Sequence, residues 1–100
     1  MKFIAAKTDL QSAIGIAIRA VPSHTTMDIL ECILIEASGN EILLTANDME
    51  MGIKTRLTGT VEKSGIIAVD AKMFSDIVRK LPEEIVTFVS DENLNITISS

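Results

Sequence analysis

The same order of elements occurs twice along the chain, and each time a proline closes the helix. Lys2 to Ala6 reads as a short strand, and Thr8-Asp9-Leu10-Gln11 then has the form of a capping box. In such a box the Thr8 hydroxyl accepts from the amide three residues on and Gln11 reaches back. Leu10, Ala13, Ile14, Ala17, Ile18 and Val21 recur at i, i+3, i+4, i+7 spacing, which predicts a helix with one buried stripe, stopped by Pro22. After the loop from Pro22 to Asp28, Ile29 to Ile35 is apolar on both alternating faces, as a strand covered on two sides would be. Ser38-Gly39-Asn40 is a turn signal and Glu41 to Ala46 the return strand. Met49, Met51, Ile53, Thr55 and Leu57 alternate with polar positions as a third, half-buried strand.

The order then begins again. Val61 to Val69 is a strand broken at Lys63-Ser64-Gly65, and Asp70 caps a second helix whose Phe74, Ile77, Val78 and Leu81 form an apolar stripe ending at Pro82. Ile85 to Ser90 and Leu94 to Ile98 are two strands joined by Asp91-Glu92-Asn93. The pattern predicts an α+β fold of two βαβββ units, the second one strand short, with the two helices packed on one face of the sheet. The missing strand suggests a piece of a longer protein.

Composition excludes several functions. At 100 residues the chain is one domain, and 47% apolar against 23% charged residues is enough for a core. Only Phe3, Phe74 and Phe88 are aromatic, so a base-stacking platform is not expected. The single cysteine, Cys32, cannot close an intrachain disulfide; between Leu30 and Leu34 it reads as a buried, inert thiol. No Cys/His cluster holds zinc and no glycine-rich phosphate loop is present, so no cofactor is expected. Asp9, Gln11 and Arg19 interrupt the first thirty residues, and no apolar run approaches the roughly eighteen residues of a membrane span. The expectation is a cytoplasmic protein.

Candidate catalytic groups are few. His24 is the only imidazole, in a Ser/Thr-rich loop with no flagged nucleophile or orienting carboxylate. Asp48 and Glu50 share one face of a strand and could divide acid and base roles. Against that, Glu50, Lys54 and Arg56 also fit cross-strand partners on a solvated face. No enzyme is expected. The helices carry more information. Thr8, Ser12, Gly15 and Arg19 share the outer face of the first, while Lys72, Ser75, Asp76, Arg79 and Lys80 lie outward on the second. Side by side, they would present a basic strip on a body of net charge −5. Asp76 is also four residues from both Lys72 and Lys80, the spacing of helix-stabilising ion pairs.

The opening MKF, TTMDIL at 25–30, TANDMEMGI at 45–53 and VDAKMFSDIVRKLP at 69–82 match, in order and spacing, the amino-terminal domain of the bacterial sliding clamp family, the beta subunit of DNA polymerase III. The chain resembles that family from Met1 to Ser100. The resemblance implies the DNA-clamp fold. It also implies a non-enzymatic processivity factor: a homodimeric ring of three similar domains per subunit, helices around duplex DNA and sheets outside, tethering the replicative polymerase. Residues 1–100 would be its first domain, truncated before the final strand.

By that resemblance His24, Lys72 and Arg79 stand at DNA-contacting positions, and Arg19 and Lys80, outward on the same helices, complete the expected DNA-binding set, through sequence-independent phosphate contacts. The loop position held by His24 usually carries Arg or Lys in the family, and a mostly uncharged imidazole weakens that contact. Thr25 and Asp28 replace prolines common around the loop. Even five such contacts give a log-affinity slope against log salt of only about −4 to −5, so tethering must come from the closed ring. Met73 falls at the family's subunit interface. The groove for polymerase and clamp-loader peptides belongs to later domains. From the residues alone, the competing expectation is a protein-interaction module that pairs through an exposed sheet edge.

Overall fold

The computed structural model describes residues 1–21, 32–47 and 52–100. In chain order it contains β1 (Lys2–Ala6), α1 (Lys7–Ala17) with a 3-10 turn at Ile18–Ala20, β2 (Cys32–Ser38), β3 (Glu41–Asn47), β4 (Gly52–Thr58), β5 (Thr60–Lys63), β6 (Gly65–Asp70), α2 (Ala71–Lys80), β7 (Ile85–Ser90) and β8 (Ile96–Ser99). The expected repeat is present as βαβββ followed, among the described residues, by a second unit of β6, α2, β7 and β8. Residues 29–31, and Met49 and Met51, lie outside the described residues.

The strands form two four-stranded antiparallel sheets, ordered β5-β1-β7-β8 and β4-β3-β2-β6. The sheets do not coincide with the repeats. β1, which opens the first unit, pairs with β7 of the second, and β6, which opens the second helical passage, pairs with β2 of the first. Each unit thus lends its opening strand to the other's sheet.

Val61 to Val69 is accordingly not one interrupted strand, because its two halves belong to different sheets. The chain leaves the β4 sheet at Gly59, enters the β1 sheet as β5, and returns through Ser64 into β6. Gly59 permits this crossing by its bareness: a Cβ there would sit 2.6 Å from the Ile4 carbonyl oxygen and 2.8 Å from Ile42 Cδ1. Between β2 and β3, Gly39 (φ 52°) and Asn40 (φ 66°) are both left-handed, the pairing a tight two-residue hairpin requires.

Alternation sorts the strands. Ile33, Ile35 and Ala37 of β2 and Ile42, Leu44 and Ala46 of β3 are buried, while Cys32, Leu34 and Glu36 on the other face of β2 are half-buried. Cys32 is therefore less enclosed than the pattern predicted. Leu10, Ala13, Ile14 and Ala17 of α1 and Ala71, Phe74 and Val78 of α2 close the core. Ile77, expected in that stripe, is 37% exposed. The final strand begins at Ile96 rather than Leu94; Leu94 has φ 63° and forms the left-handed step of the β7–β8 turn.

Candidate nucleic-acid interface

The two helices pack against each other, α1 also covering β3 and β4 and α2 covering β6. They meet with opposite polarity, since the start of α1 bonds to the segment leaving α2. The Lys7 amide donates to the Glu84 carbonyl at 2.6 Å, and Lys7 Nζ donates to the Leu81 carbonyl at 2.6 Å. The predicted capping box does not form. β1 runs directly into α1, the N-cap is Ala6, and it has no side-chain bond to offer. A carboxylate from across the molecule takes that role: Glu84 Oε1 accepts from the Thr8 amide at 3.1 Å and from Thr8 Oγ1 at 2.8 Å. Both bonds hold its carboxyl below the ordinary carboxylate range, the hydroxyl more than the amide. On α2 the expected cap does form, Asp70 Oδ1 accepting from the Met73 amide at 2.8 Å.

The outward residues fall in two groups. Thr8, Ser12 and Gly15 on α1 and Arg19 in the following turn are exposed, and nothing lies within 4 Å of where a Gly15 Cβ would be. On α2, Lys72, Arg79 and Lys80 are exposed, as is Met73 at 61%. Successive helical residues turn by about 100°, so Lys72 and Arg79 lie within about 20° of one line, while Lys80 shares a line with Met73 some 80° round. Lys72 and Arg79 thus share one side of α2, and Arg19 is exposed in the turn that follows α1. Lys80 stands nearer the Met73 flank, where Asp70, Lys72, Met73, Asp76, Ile77 and Lys80 surround a shallow depression.

Asp76 does form an ion pair, but with Arg79 at 3.1 Å and three residues away, not with Lys72 or Lys80. Arg19, Lys72 and Lys80 make no ion pair among the described residues. Arg56 meets Glu41 on the neighbouring strand at 3.5 Å, which accounts for that charge on the outer sheet face. His24, Asp48 and Glu50 lie outside the described residues.

Beside α2, between the edges of β6 and β8, a groove of about 240 Å³ is lined by Val69, Met73, Phe74, Ile77, Ile96 and Ile98 among others. The periodicity that placed Ile77 in the core could not reveal this groove, because it depends on how β6 and β8, from different sheets, lie beside α2. Among the described residues no three His, Cys, Asp or Glu side chains gather as a metal site, and no helix is long and apolar enough to cross a membrane.

Two exchanged β-rich units with their helices side by side define an α+β domain of the DNA-clamp class. The model of the family "DNA polymerase III beta subunit, N-terminal domain" matches residues 1–100. A beta sliding clamp from Synechocystis is 39% identical over 93 residues, which cover 91% of this chain and 24% of that protein. Among solved structures, a chain from Eubacterium rectale assigned to the DNA polymerase III beta subunits is 56% identical with a TM-score of 0.96, covering 100% of this chain and 27% of that one. The Bacillus subtilis sliding clamp is 31% identical with a TM-score of 0.96, covering 100% and 28%. The chain therefore belongs to the DNA polymerase III beta subunit family, in its N-terminal domain. It spans about a quarter of the length of these relatives.

Proposed function

We propose that this chain is the first domain of a cytoplasmic, non-enzymatic processivity factor, a two-subunit ring that encloses duplex DNA and slides along it. The single observation that carries the reading is the placement of charge. Lys72 and Arg79 ride on α2 and Arg19 on the turn that follows the adjacent α1, in a molecule whose net charge is −5. A polyanion is met by a local cationic edge and repelled by the rest of the body, which suits loose enclosure better than tight binding. Phosphates, not bases, are the partners of such an edge, since exposed Lys and Arg on helix flanks carry no base-reading geometry. His24 would add to it only when protonated. The replicative polymerase and clamp loader engage later domains, and Met73 belongs to the contact with the second subunit.

The strand order leaves the edge of β8 beside the groove under α2. β2, β3 and β4 follow α1, and β4 lies outside β3. β7 and β8 follow α2 in the same order, and β8 is the last strand of its sheet among the described residues. The competing reading, a module that pairs this edge with a strand from another protein, uses the same site.

The test is topological. The full-length subunit, loaded on nicked circular DNA, should remain bound after a salt wash and be lost when the circle is cut once. Equal retention on circular and linear DNA would overturn the ring and favour ordinary surface binding.

A further inference from the structure

We propose that Glu84, with Lys7, is a positioning pair that sets how far α1 is offset along α2. The four bonds that join the start of α1 to the exit of α2 involve only Lys7 and Thr8 on one side and Leu81 and Glu84 on the other. In all four the donor lies at the start of α1 and the acceptor in the segment leaving α2. The Lys7 ammonium sits on a carbonyl at the end of α2, and the Glu84 carboxylate sits on an amide in the first turn of α1, each the charge that the helix end favours.

Elsewhere α1 and α2 meet through packed side chains, whose ridges and grooves admit neighbouring registers. Directional hydrogen bonds to a fixed connection do not. The sequence separation of 74 to 77 residues makes these long-range ties, and no other side-chain bond among the described residues joins the two helical segments. The residue at the end of β1 cannot do this work, because Ala6 has no acceptor. With the offset fixed at this end, Arg19 at the far end of α1 keeps a fixed distance from Lys72 and Arg79. That last consequence rests on the DNA reading above; the offset itself does not.

The experiment needs no DNA. In this chain, residual dipolar couplings report the direction of α1 relative to α2, and amide exchange reports the Thr8 bond. Glu84→Ala should reorient α1 against α2 with the sheet couplings unchanged and speed Thr8 exchange about tenfold or more. Glu84→Gln, which keeps an oxygen acceptor, should restore the orientation but remove the acid titration of the Thr8 amide resonance expected of the unaltered chain. If Glu84→Ala does not fold, the Thr8 titration and the Gln variant still decide. Unchanged helix couplings in Glu84→Ala, or a Thr8 resonance in the unaltered chain indifferent to acid, would overturn the assignment. A normal result here beside equal retention on linear DNA would sink the DNA reading alone.

Discussion

The rings of Phe3 and Phe88 stack with centroids 4.9 Å apart and planes 12° from parallel, on strands that are neighbours in space though 85 positions apart in sequence. Phe74 meets Phe88 edge-on at 5.9 Å, so all three aromatic side chains join β1, α2 and β7 at one point. This cluster is where the first unit's opening strand is held in the second unit's sheet.

Phe88→Ala should therefore cost about 3–5 kcal/mol, a large share of what a domain of this size holds in reserve. Urea denaturation would measure it. A loss under about 1 kcal/mol would mean that the exchanged strand is held elsewhere.

The crossing at Gly59 is as strict in a different way. Gly59→Ala puts a methyl group against the Ile4 carbonyl oxygen, a backbone atom that can yield only if β1 moves. The expected destabilisation is about 2–3 kcal/mol. Gly15→Ala is the control: open space around it and a helical backbone predict a gain of about 0.5–1 kcal/mol, read from the same denaturation curves.

Leu94 adopts φ 63° and is 73% exposed, so it gains little from burial while holding a conformation that Asn tolerates better. Asp91 enforces the turn, its Oδ1 accepting from the Asn93 amide at 2.8 Å and the Asn95 amide at 2.9 Å. Leu94→Asn should raise the thermal midpoint, by about 0.5–1 kcal/mol of stability. A lower midpoint would show that the leucine side chain has a contact worth more than the backbone cost.

Acid should weaken the fold through two surface carboxyls. Glu84 is held low by the Thr8 hydroxyl and then its amide, and Asp91 by the Asn95 amide and then its side chain. Because folding lowers both values, their contribution is complete at neutral pH and is lost as pH falls from about 5 through the folded values. Stability followed from pH 7 to pH 3 should decline, and Glu84→Gln should flatten part of that decline. An identical pH profile in the variant would contradict the assignment.

Much of this was legible in the sequence, and the exceptions share a cause. The helix stripes at Leu10–Ala17 and Phe74–Val78, the turn at Gly39-Asn40 and the Asp70 cap follow from contacts within a few residues, which spacing encodes directly. The cap on α1 was misread because its acceptor, Glu84, is 76 positions from Thr8. The break at Lys63-Ser64-Gly65 was legible, but not that its two halves join different sheets, because alternation does not say which sheet a strand joins. Ile77 was assigned to the core because periodicity cannot see that β8 leaves one flank of α2 uncovered. At the candidate interface, Arg19, Lys72, Arg79 and Lys80 were legible as outward residues; the Asp76–Arg79 pair needed three dimensions.

The central claim is that the cationic edge of the helix pair faces phosphates. Its most direct test is the salt dependence of DNA binding by the full-length subunit carrying Arg19→Ala and Lys72→Ala together. Each lost phosphate contact removes about 0.9 from the slope of log affinity against log salt, so the double variant should fall short of the unaltered protein by about 2. A slope unchanged by both substitutions would place the DNA somewhere other than along these helices.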